Sequence, residues 1–312
     1  MITAHSLTKR YGASTAVDNL TFEVPAGVVT GFLGPNGSGK STTMRMIMGL
    51  DLPDSGTALI GGRPYSELAW PLREVGGLLD AKALHPARTA RNHLRWLALT
   101  NDIPLRRVDE VLDQVGLRSV AGRRAGKFSL GMSQRLGIAA TLLGDPGVLL
   151  FDEPVNGLDP EGIRWVRHFL RGLAAEGRTV LVSSHLISEM AQTADRLIVI
   201  GRGRLIAETS VADFVTRSGR GAVKLVTPDL AAFTSALTAV GAKVGAFDGG
   251  SLAVEGLSAP QIGDVAARDG LRVYELTPIA VSLEDAFMEL TQDEVEYRPS
   301  TMAGAAAAGE KE

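Results

Sequence analysis

The chain lacks cysteine altogether, although it has 312 residues. Disulfides and thiolate metal sites are therefore both excluded. An excess of one charge is also missing, because 32 lysines and arginines stand against 35 aspartates and glutamates and leave a net charge of -3. A balance this close to neutral gives no general attraction to nucleic acid or to an anionic membrane surface.

Long apolar runs are missing too. No stretch of about 18 or more consecutive apolar residues is present, so no segment is predicted to span a bilayer by itself. The first residues, MITAHSLTKRYG, contain no apolar signal core. We therefore expect a cytoplasmic protein, whose role at a membrane would come through a partner.

Aromatic residues make up only 5% of the chain, which bears on the basic cluster Arg123, Arg124 and Lys127. Surfaces that bind nucleic acid usually combine basic residues with aromatic side chains on which bases stack. No aromatic residues are interleaved with this cluster, and a solvated surface explains it equally. Nucleic acid is therefore not an expected partner.

What the chain does have is a glycine-rich stretch, GPNGSGKST, at residues 34–42. An apolar run precedes it and a helical apolar pattern follows it, which is the strand, loop and helix setting of a P-loop. Glycines let backbone N–H groups point at phosphate oxygens, and the helix N-terminus adds its positive dipole end. Lys40 is predicted to reach the β- and γ-phosphates, and Ser41 to bind Mg²⁺. The predicted nucleotide-binding residues of this loop are Gly34, Pro35, Asn36, Gly37, Ser38, Gly39, Lys40, Ser41 and Thr42.

A second candidate for a role in catalysis is the pair Asp152 and Glu153, which directly follows the apolar run at 148–151. In P-loop enzymes the aspartate at such a strand end holds Mg²⁺, and an adjacent carboxylate can be the general base toward water. Two acids at a strand end could instead cap a helix. Pro154 and the turn after it favour the catalytic interpretation.

The pattern of elements predicts an α/β fold. Continuous apolar strands alternate with helices between residues 148 and 200, which indicates a mainly parallel sheet buried on both faces. Residues 2–24 alternate polar and apolar positions and predict antiparallel strands ahead of the P-loop strand. A helical insertion is predicted at 88–117, and another helix at 133–144.

From about residue 210 the pattern weakens and takes the order βαββαβ, which is the split arrangement of a small ferredoxin-like α+β unit. The predicted elements are strand 222–227, helix 229–240, strands 242–247 and 251–255, helix 259–268, strand 271–276 and a last helix at 283–290.

Length and pattern together predict two domains. Residues 1–210 form the first, with a helical subdomain at about 85–145, and residues 211–298 form a C-terminal accessory domain. Residues 299–312 are small or charged and are expected to be a disordered tail.

The motifs resemble those of the nucleotide-binding subunits of ABC transporters, and the resemblance covers residues 1 to about 210. Tyr11 stands where that family places an aromatic residue that stacks on adenine, although an ordinary turn tyrosine is the alternative. FSLGM at 128–132 resembles the signature motif, so the resemblance implies that Ser129 and Gly131 cap the γ-phosphate bound by the other subunit. A serine that merely caps a helix is the commoner occurrence of this pattern.

Two further pieces follow in the order that the family shows. Residues 156–159, which end in Asp159, resemble the loop through which the two subunits communicate. His185 resembles the switch histidine that contacts the γ-phosphate or the attacking water. A lone histidine is more often structural, but His185 ends a buried strand, as the P-loop strand and Asp152 do, and ligands collect at such ends in open α/β sheets.

The sequence departs from the family pattern at two places. Asp80 stands where the family has a glutamine that touches Mg²⁺ and relays the nucleotide state to the membrane subunit. An aspartate can still bind Mg²⁺ or its waters, but it is shorter, negative and unable to donate a hydrogen bond. In the signature, Leu130 and Met132 replace the commoner glycine and glutamine, a variation of a kind found in bacterial exporter ATPases.

The resemblance implies an ATPase of the ABC-2 type, similar to drug exporters, with ATP and Mg²⁺ as cofactors. Two copies would form a head-to-tail dimer that sandwiches ATP, and the dimer would drive export through a separate transmembrane permease at the cytoplasmic face of the membrane. Glu153, His185 and Lys40 would act in hydrolysis, while Ser41, Asp152 and Asp80 would hold the metal.

Two other classes remain. A soluble ABC ATPase that acts on ribosomes or DNA usually carries two cassettes or a coiled-coil insertion, and this chain has one cassette and no heptads. A P-loop GTPase or kinase is disfavoured because no Asn-Lys-x-Asp element is present.

Overall fold

The computed structural model describes residues 1–80, 83–218 and 222–279, so the predicted helix at 283–290 and the tail at 299–312 lie outside the described residues. The strands are β1 (Ile2–Tyr11), β2 (Ser14–Val24), β3 (Val29–Leu33), β4 (Ser55–Ile60), β5 (Val75–Leu78), β6 (Val148–Phe151), β7 (Thr179–Ser184), β8 (Arg196–Gly201), β9 (Arg204–Ser210), β10 (Ala222–Val226), β11 (Lys243–Phe247), β12 (Ser251–Glu255) and β13 (Glu275–Ile279). The helices are α1 (Lys40–Ile47), α2 (Pro71–Glu74), α3 (Ala90–Thr100), α4 (Arg106–Gln114), α5 (Leu130–Thr141), α6 (Pro160–Ala175), α7 (Ile187–Thr193), α8 (Val211–Ser218), α9 (Leu230–Ala239) and α10 (Ala259–Asp269).

The central sheet has six strands in the order β5-β6-β7-β3-β8-β9. The first five are mutually parallel, and only β9 runs antiparallel, against β8. Because parallel strands end at the same edge, the segments that follow β6, β7 and β3 meet there. These segments are the Asp152-Glu153 pair, His185 and the P-loop.

Both faces of this sheet are buried, as the continuous apolar runs predict. In β6, Leu149 and Phe151 belong to one hydrophobic cluster, which also contains the apolar residues of α3, α4 and α5. Val148 and Leu150 belong to a second cluster, on the side of α1 and the first strands of the chain. The alternation along a fully buried strand gives each face its own core.

Two smaller parts flank the sheet. One is a three-stranded antiparallel sheet in the order β2-β1-β4, and the other is the helical insertion built from α3 and α4. Both predictions are confirmed. The helix predicted at 133–144 instead spans Leu130–Thr141, because the Ser129 hydroxyl accepts a hydrogen bond from the Met132 N–H and starts the helix one turn earlier.

The C-terminal unit is a four-stranded sheet in the order β11-β12-β10-β13, in which every neighbouring pair is antiparallel. Its core, which includes Phe233 and Val254, is a separate hydrophobic cluster. The ferredoxin-like arrangement is thus confirmed. The last strand, predicted at 271–276, is Glu275–Ile279 instead, because Thr227 and Asp229 bind Arg272 and hold the residues before β13 in a loop.

Candidate active site

The P-loop connects β3 to α1, and two of its glycines have no room for a side chain. A Cβ at Gly34 would lie 2.3 Å from Ser38 Oγ and 2.5 Å from the Ile200 carbonyl oxygen. At Gly39 the backbone has φ +101°, and a Cβ would lie 2.4 Å from the Ala16 carbonyl oxygen. Both positions therefore require glycine if the loop is to keep this curvature.

Lys40 begins α1 and points its ammonium back into the loop. Its Nζ donates to the carbonyl oxygens of Gly34 at 2.6 Å and Pro35 at 3.2 Å, and it lies 4.0 Å from Glu153 Oε1. Only 6% of Lys40 is exposed. Burial lowers the pKa of Lys40, and the carboxylates of Glu153 and Asp152 partly oppose that shift. A buried ammonium group of this kind is suited to binding a phosphate group.

Ser38 adds an unpartnered polar atom to the same loop. Its hydroxyl is buried and has no hydrogen-bond partner among the described residues. Buried hydroxyls are rarely left unpaired, so this one indicates a polar ligand. Residues 36–42 line a cavity of about 210 Å³ together with Ala16 and Glu153, and the loop thus shares one space with a candidate base.

The acidic pair follows β6 and is tied to β7. The Asp152 N–H donates to the Leu78 carbonyl at 2.8 Å, and the Ser183 hydroxyl donates to Asp152 Oδ1. The same Ser183 oxygen accepts a hydrogen bond from the Glu153 N–H at 2.9 Å. Ser183 therefore fixes both acids, a role that the sequence did not reveal because nothing in the pattern of β7 distinguishes this serine.

Glu153 has a left-handed backbone with φ +49° and faces His185. His185 Nδ1 lies 2.9 Å from Glu153 Oε2, and which atom carries the proton depends on the histidine tautomer. Both side chains are partly exposed. The Glu153 carboxylate thus lies between the Lys40 ammonium and the His185 ring, so the structure brings the three predicted catalytic residues together.

Asp80 lies beside the acidic pair. A cavity of about 340 Å³ is lined by Leu79, Asp80, Leu130, Gln134, Asp152, Glu153, Asn156 and Gly157. Glu153 lines this cavity as well as the one at the P-loop. The predicted metal ligands therefore line two neighbouring cavities. Ser41 lines the cavity at the P-loop, Asp80 and Asp152 line the other, and the Glu153 carboxylate lines both.

Tyr11, at the end of β1, is half exposed and held by polar neighbours. Its hydroxyl donates to Asp51 Oδ2 at 2.9 Å, and Lys9 Nζ lies 5.5 Å from the ring centre. The hydrogen bond to Asp51 is the main reason that the pKa of Tyr11 is raised, while a contact with Thr42 of the P-loop opposes it. The ring therefore lies next to the end of the P-loop, and Asp51 is a supporting residue that sequence reasoning missed.

The signature residues lie in another cavity. Ser129 caps α5, and Asp159 caps α6 by accepting from the Gly162 N–H at 2.8 Å. Both line a space of about 480 Å³ together with Gly131. No residue of the P-loop lines this space in the described part of the chain. Within one copy, Ser129, Gly131 and Asp159 therefore line a different cavity from the P-loop residues, although Leu130 and Gly157 also line the cavity beside the acidic pair.

Two helix N-termini meet at that second cavity. Helices α5 and α6 both begin there, and each carries a positive dipole end and free N–H groups. Such an arrangement suits an anion. The helical cap, which was the alternative for Ser129, is present, but it does not compete with anion binding because the other N–H groups of the first turn stay available.

Comparison with known proteins gives the family. The family model described as ABC transporter matches residues 17–156, and one described as a domain of unknown function matches residues 221–284. The uncharacterized ABC transporter ATP-binding protein YhcH of Bacillus subtilis is 36% identical in an alignment of 309 positions that covers 94% of this chain and 97% of YhcH. The bacitracin transport ATP-binding protein BcrA of Bacillus licheniformis is 42% identical over 211 residues, which are 67% of this chain and 69% of BcrA.

Solved structures of ABC transporter cassettes are similar to this chain in fold. A dimeric bacterial ABC transporter cassette is 26% identical and superposes with a TM-score of 0.63 over 68% of this chain and 99% of its own. The same cassette in a post-hydrolysis state with bound ADP and Pi gives a TM-score of 0.62. With its P-loop, its acidic pair and its near-complete match to YhcH, the chain belongs to the ABC transporter ATP-binding proteins and is the ATP-binding, ATP-hydrolysing subunit of such a transporter.

Proposed function

We propose that this ATPase uses Glu153 as the general base of hydrolysis and works as a head-to-tail dimer that drives export through a separate permease. The observation that carries the proposal is the position of the Glu153 carboxylate, which lies 4.0 Å from Lys40 Nζ and 2.9 Å from His185 Nδ1. A carboxylate flanked by a cation and a histidine can accept a proton from water and pass it on.

Different groups of this chain bind the phosphates, stack on the adenine and orient the general base. The P-loop N–H groups, the Ser38 hydroxyl and the Lys40 ammonium bind the phosphates, because they converge on the cavity at the start of α1. Tyr11 stacks on the adenine. His185 orients the Glu153 carboxylate and contacts the terminal phosphate. Since most of the barrier to phosphoryl transfer is lowered by positioning and charge, these contacts account for most of the catalysis.

Mg²⁺ fits the oxygen ligands that line the site. Ser41 offers a hydroxyl, and Asp152 and Asp80 offer carboxylates. No group of three or more histidine, cysteine, aspartate or glutamate side chains in the described residues could hold a metal by itself. Mg²⁺ usually keeps water and substrate phosphate among its ligands, so a small protein donor set suits it. When bound, it neutralises negative charge on the phosphates.

A second copy completes each site. Ser129, Gly131 and Asp159 line a different cavity from the described P-loop residues, so they stand apart from the phosphate-binding residues of their own chain. A head-to-tail partner can supply them, and the related cassette described as dimeric supports this arrangement. Closure would then depend on ATP, and hydrolysis would reopen the dimer.

The names of the relatives support a proposal for the membrane partner and the cargo. BcrA is named for bacitracin transport, and we propose that this chain likewise serves an exporter of drugs or antibiotics. No helix in the described ranges is long and apolar enough to cross a bilayer. In this proposal the permease is a separate chain that docks at α3, α4 and the loop around Asp80, and the ATPase lies on the cytoplasmic face of the membrane.

The domain boundaries belong to the same proposal. We place the cassette at residues 1–210 and the accessory domain at 211–298, with 299–312 as a tail. The separate core of the C-terminal sheet and the separate family match at 221–284 support this division.

Glu153→Gln tests the proposal in the purified full-length chain. The amide keeps the shape but cannot accept the proton, so the rate of ATP hydrolysis should fall by about 10²–10⁴-fold. ATP should still bind and should stabilise a dimer that gel filtration resolves. Glu67→Gln is the matched control, because Glu67 is an exposed acid distant from Glu153 in the sequence. This variant should keep the wild-type rate. Hydrolysis by Glu153→Gln at the wild-type rate would overturn the assignment of the base.

A further inference from the structure

Glu153 is held in a conformation that its residue type disfavours. Its φ of +49° lies in the left-handed region, where a side chain crowds the backbone. Such a conformation is unfavourable and persists only when surrounding contacts enforce it. The structure must therefore contain contacts that fix the Glu153 segment, and these contacts determine where the carboxylate points.

Three hydrogen bonds fix the segment. The Glu153 N–H donates to Ser183 Oγ at 2.9 Å, and the Glu153 carbonyl accepts from the Asn156 N–H at 3.2 Å. The third bond acts on the next residue, because Gln134 Nε2 donates to the Pro154 carbonyl at 2.7 Å. Ser183 holds the segment from the side of β7, and Gln134 holds it from the side of α5.

The Gln134 side chain makes a buried contact with Pro154, which is distant in the sequence. Its side chain is 3% exposed, and the bond to Pro154 spans 20 residues of sequence. A proline has no N–H, so Pro154 can be held here only through its carbonyl. Burying a long amide side chain costs free energy unless the amide is hydrogen-bonded, so the loss of this hydrogen bond is destabilising.

We infer that Gln134 is a positioning residue for Glu153: by holding the Pro154 carbonyl it keeps the Glu153 backbone left-handed and its carboxylate between Lys40 and His185. The inference rests on the proposed role of Glu153 as general base. Helix α5 then has two roles. Its first turn presents Ser129, and one turn later Gln134 positions the general base, Glu153, of its own chain.

Gln134→Met and Gln134→Glu test the inference in the full-length chain. Methionine keeps the length and burial of the side chain but donates nothing, so kcat should fall by about 10- to 100-fold while the affinity for ATP stays unchanged. Glutamate donates only when protonated. The ratio of Gln134→Glu activity to wild-type activity should therefore rise as the pH falls, because a buried carboxyl protonates above its usual range.

Thr141→Val is the matched control. Thr141 lies on the same helix, is equally buried and makes a side-chain hydrogen bond, but only to the Ile138 carbonyl of its own helix. Its loss should lower the melting temperature without changing kcat per folded molecule. If Gln134→Met behaves like Thr141→Val, or if the Gln134→Glu ratio does not change with pH, the inference is wrong.

The result separates this inference from the proposed function. If Glu153 is not the base, Glu153→Gln hydrolyses ATP at the wild-type rate, whatever the Gln134 variants do. If Glu153 is the base but Gln134 does not position it, Glu153→Gln is inactive and Gln134→Met retains the wild-type kcat.

Discussion

At the scale of single residues, His93 is a buried group that takes no part in the proposed chemistry. It lies on α3 with 7% of its surface exposed, and its Nδ1 has no hydrogen-bond partner in the described part of the chain. Burial lowers the pKa of His93, and the positive charge of Arg88 and the nearby His85 lower it further. The folded chain therefore keeps His93 neutral at pH values where an unfolded chain already binds a proton.

Acid should destabilise the fold through this residue. The unfolded chain binds more protons than the folded one between the ordinary histidine pKa of about 6.5 and the lowered pKa of His93, so the free energy of unfolding decreases as the pH falls through that window. His93→Leu removes the group, and its melting temperature should change less between about pH 7.5 and pH 5.5 than that of the wild type.

His5→Leu provides the control for that measurement, because His5 is an exposed histidine on β1. This variant should keep the wild-type dependence on pH. An equal loss of melting temperature in His93→Leu and in the wild type would assign the acid sensitivity to other groups.

The residues that the sequence predicted belong to motifs that can be recognised locally, and in some of these motifs the residue type itself limits the conformation. Gly34 and Gly39 are required by close approach to neighbouring backbone, and this requirement is visible as a motif. Ser183, Gln134 and Asp51 act through contacts with residues distant in the chain. Serine, glutamine and aspartate are common in solvated positions, so nothing local distinguishes them before the chain is folded.

At the scale of elements, the starts of α5 and α6 serve both stability and the proposed dimer site. Each helix begins with a side chain that accepts a hydrogen bond from its own first turn, Ser129 in α5 and Asp159 in α6. The Asp159 bond to the Gly162 N–H is 2.8 Å long, and Pro160 occupies the first position of the helix, where its missing N–H costs nothing.

Asp159→Ala should therefore destabilise the fold by about 1 kcal/mol, as the loss of a helix cap usually does. Asp159→Asn keeps an acceptor oxygen and should lie within a few tenths of a kcal/mol of the wild type. Denaturant unfolding, followed by circular dichroism, gives both values. Equal destabilisation by the two substitutions would show that the charge of Asp159, and not the cap, matters to the fold.

Element types followed from the sequence better than element ends did. The apolar run at Val148–Phe151 is a strand, as predicted, because a buried strand between helices has a distinctive composition. The edge strand β9 and the helix α8 were not predicted, and β9 has no fully buried residue that would mark it as a core strand. The loop at 271–274 is set by the long-range contacts of Arg272, which no local pattern contains.

At the scale of the whole molecule, the core of the C-terminal sheet shares no residue with the two clusters that cover the central sheet. Phe233 is fully buried in it. The described residues that line the cavity at the P-loop and the cavity beside it all belong to the cassette part. The stability of the C-terminal unit and the affinity for ATP should therefore be separable.

Phe233→Ala tests that separation. Removing a buried phenylalanine costs about 3–5 kcal/mol, enough to unfold a small unit of this kind. The variant should show an early unfolding transition, while its affinity for a fluorescent ATP analogue stays at the wild-type value. Phe247→Ala, at an exposed phenylalanine of the same sheet, should change neither property. A parallel loss of ATP affinity in Phe233→Ala would show that the cassette depends on the C-terminal unit.

The place of β3 in the central sheet has a consequence for synthesis. Among the described strands, this strand, Val29–Leu33, pairs with β7 and β8, which lie at Thr179–Ser184 and Arg196–Gly201. The ribosome therefore releases the P-loop strand long before either neighbour exists, and the strand must wait for most of the cassette to emerge. Contacts this distant along the chain form late. The P-loop is thus translated early but can bind a nucleotide only after β7 and β8 have been made.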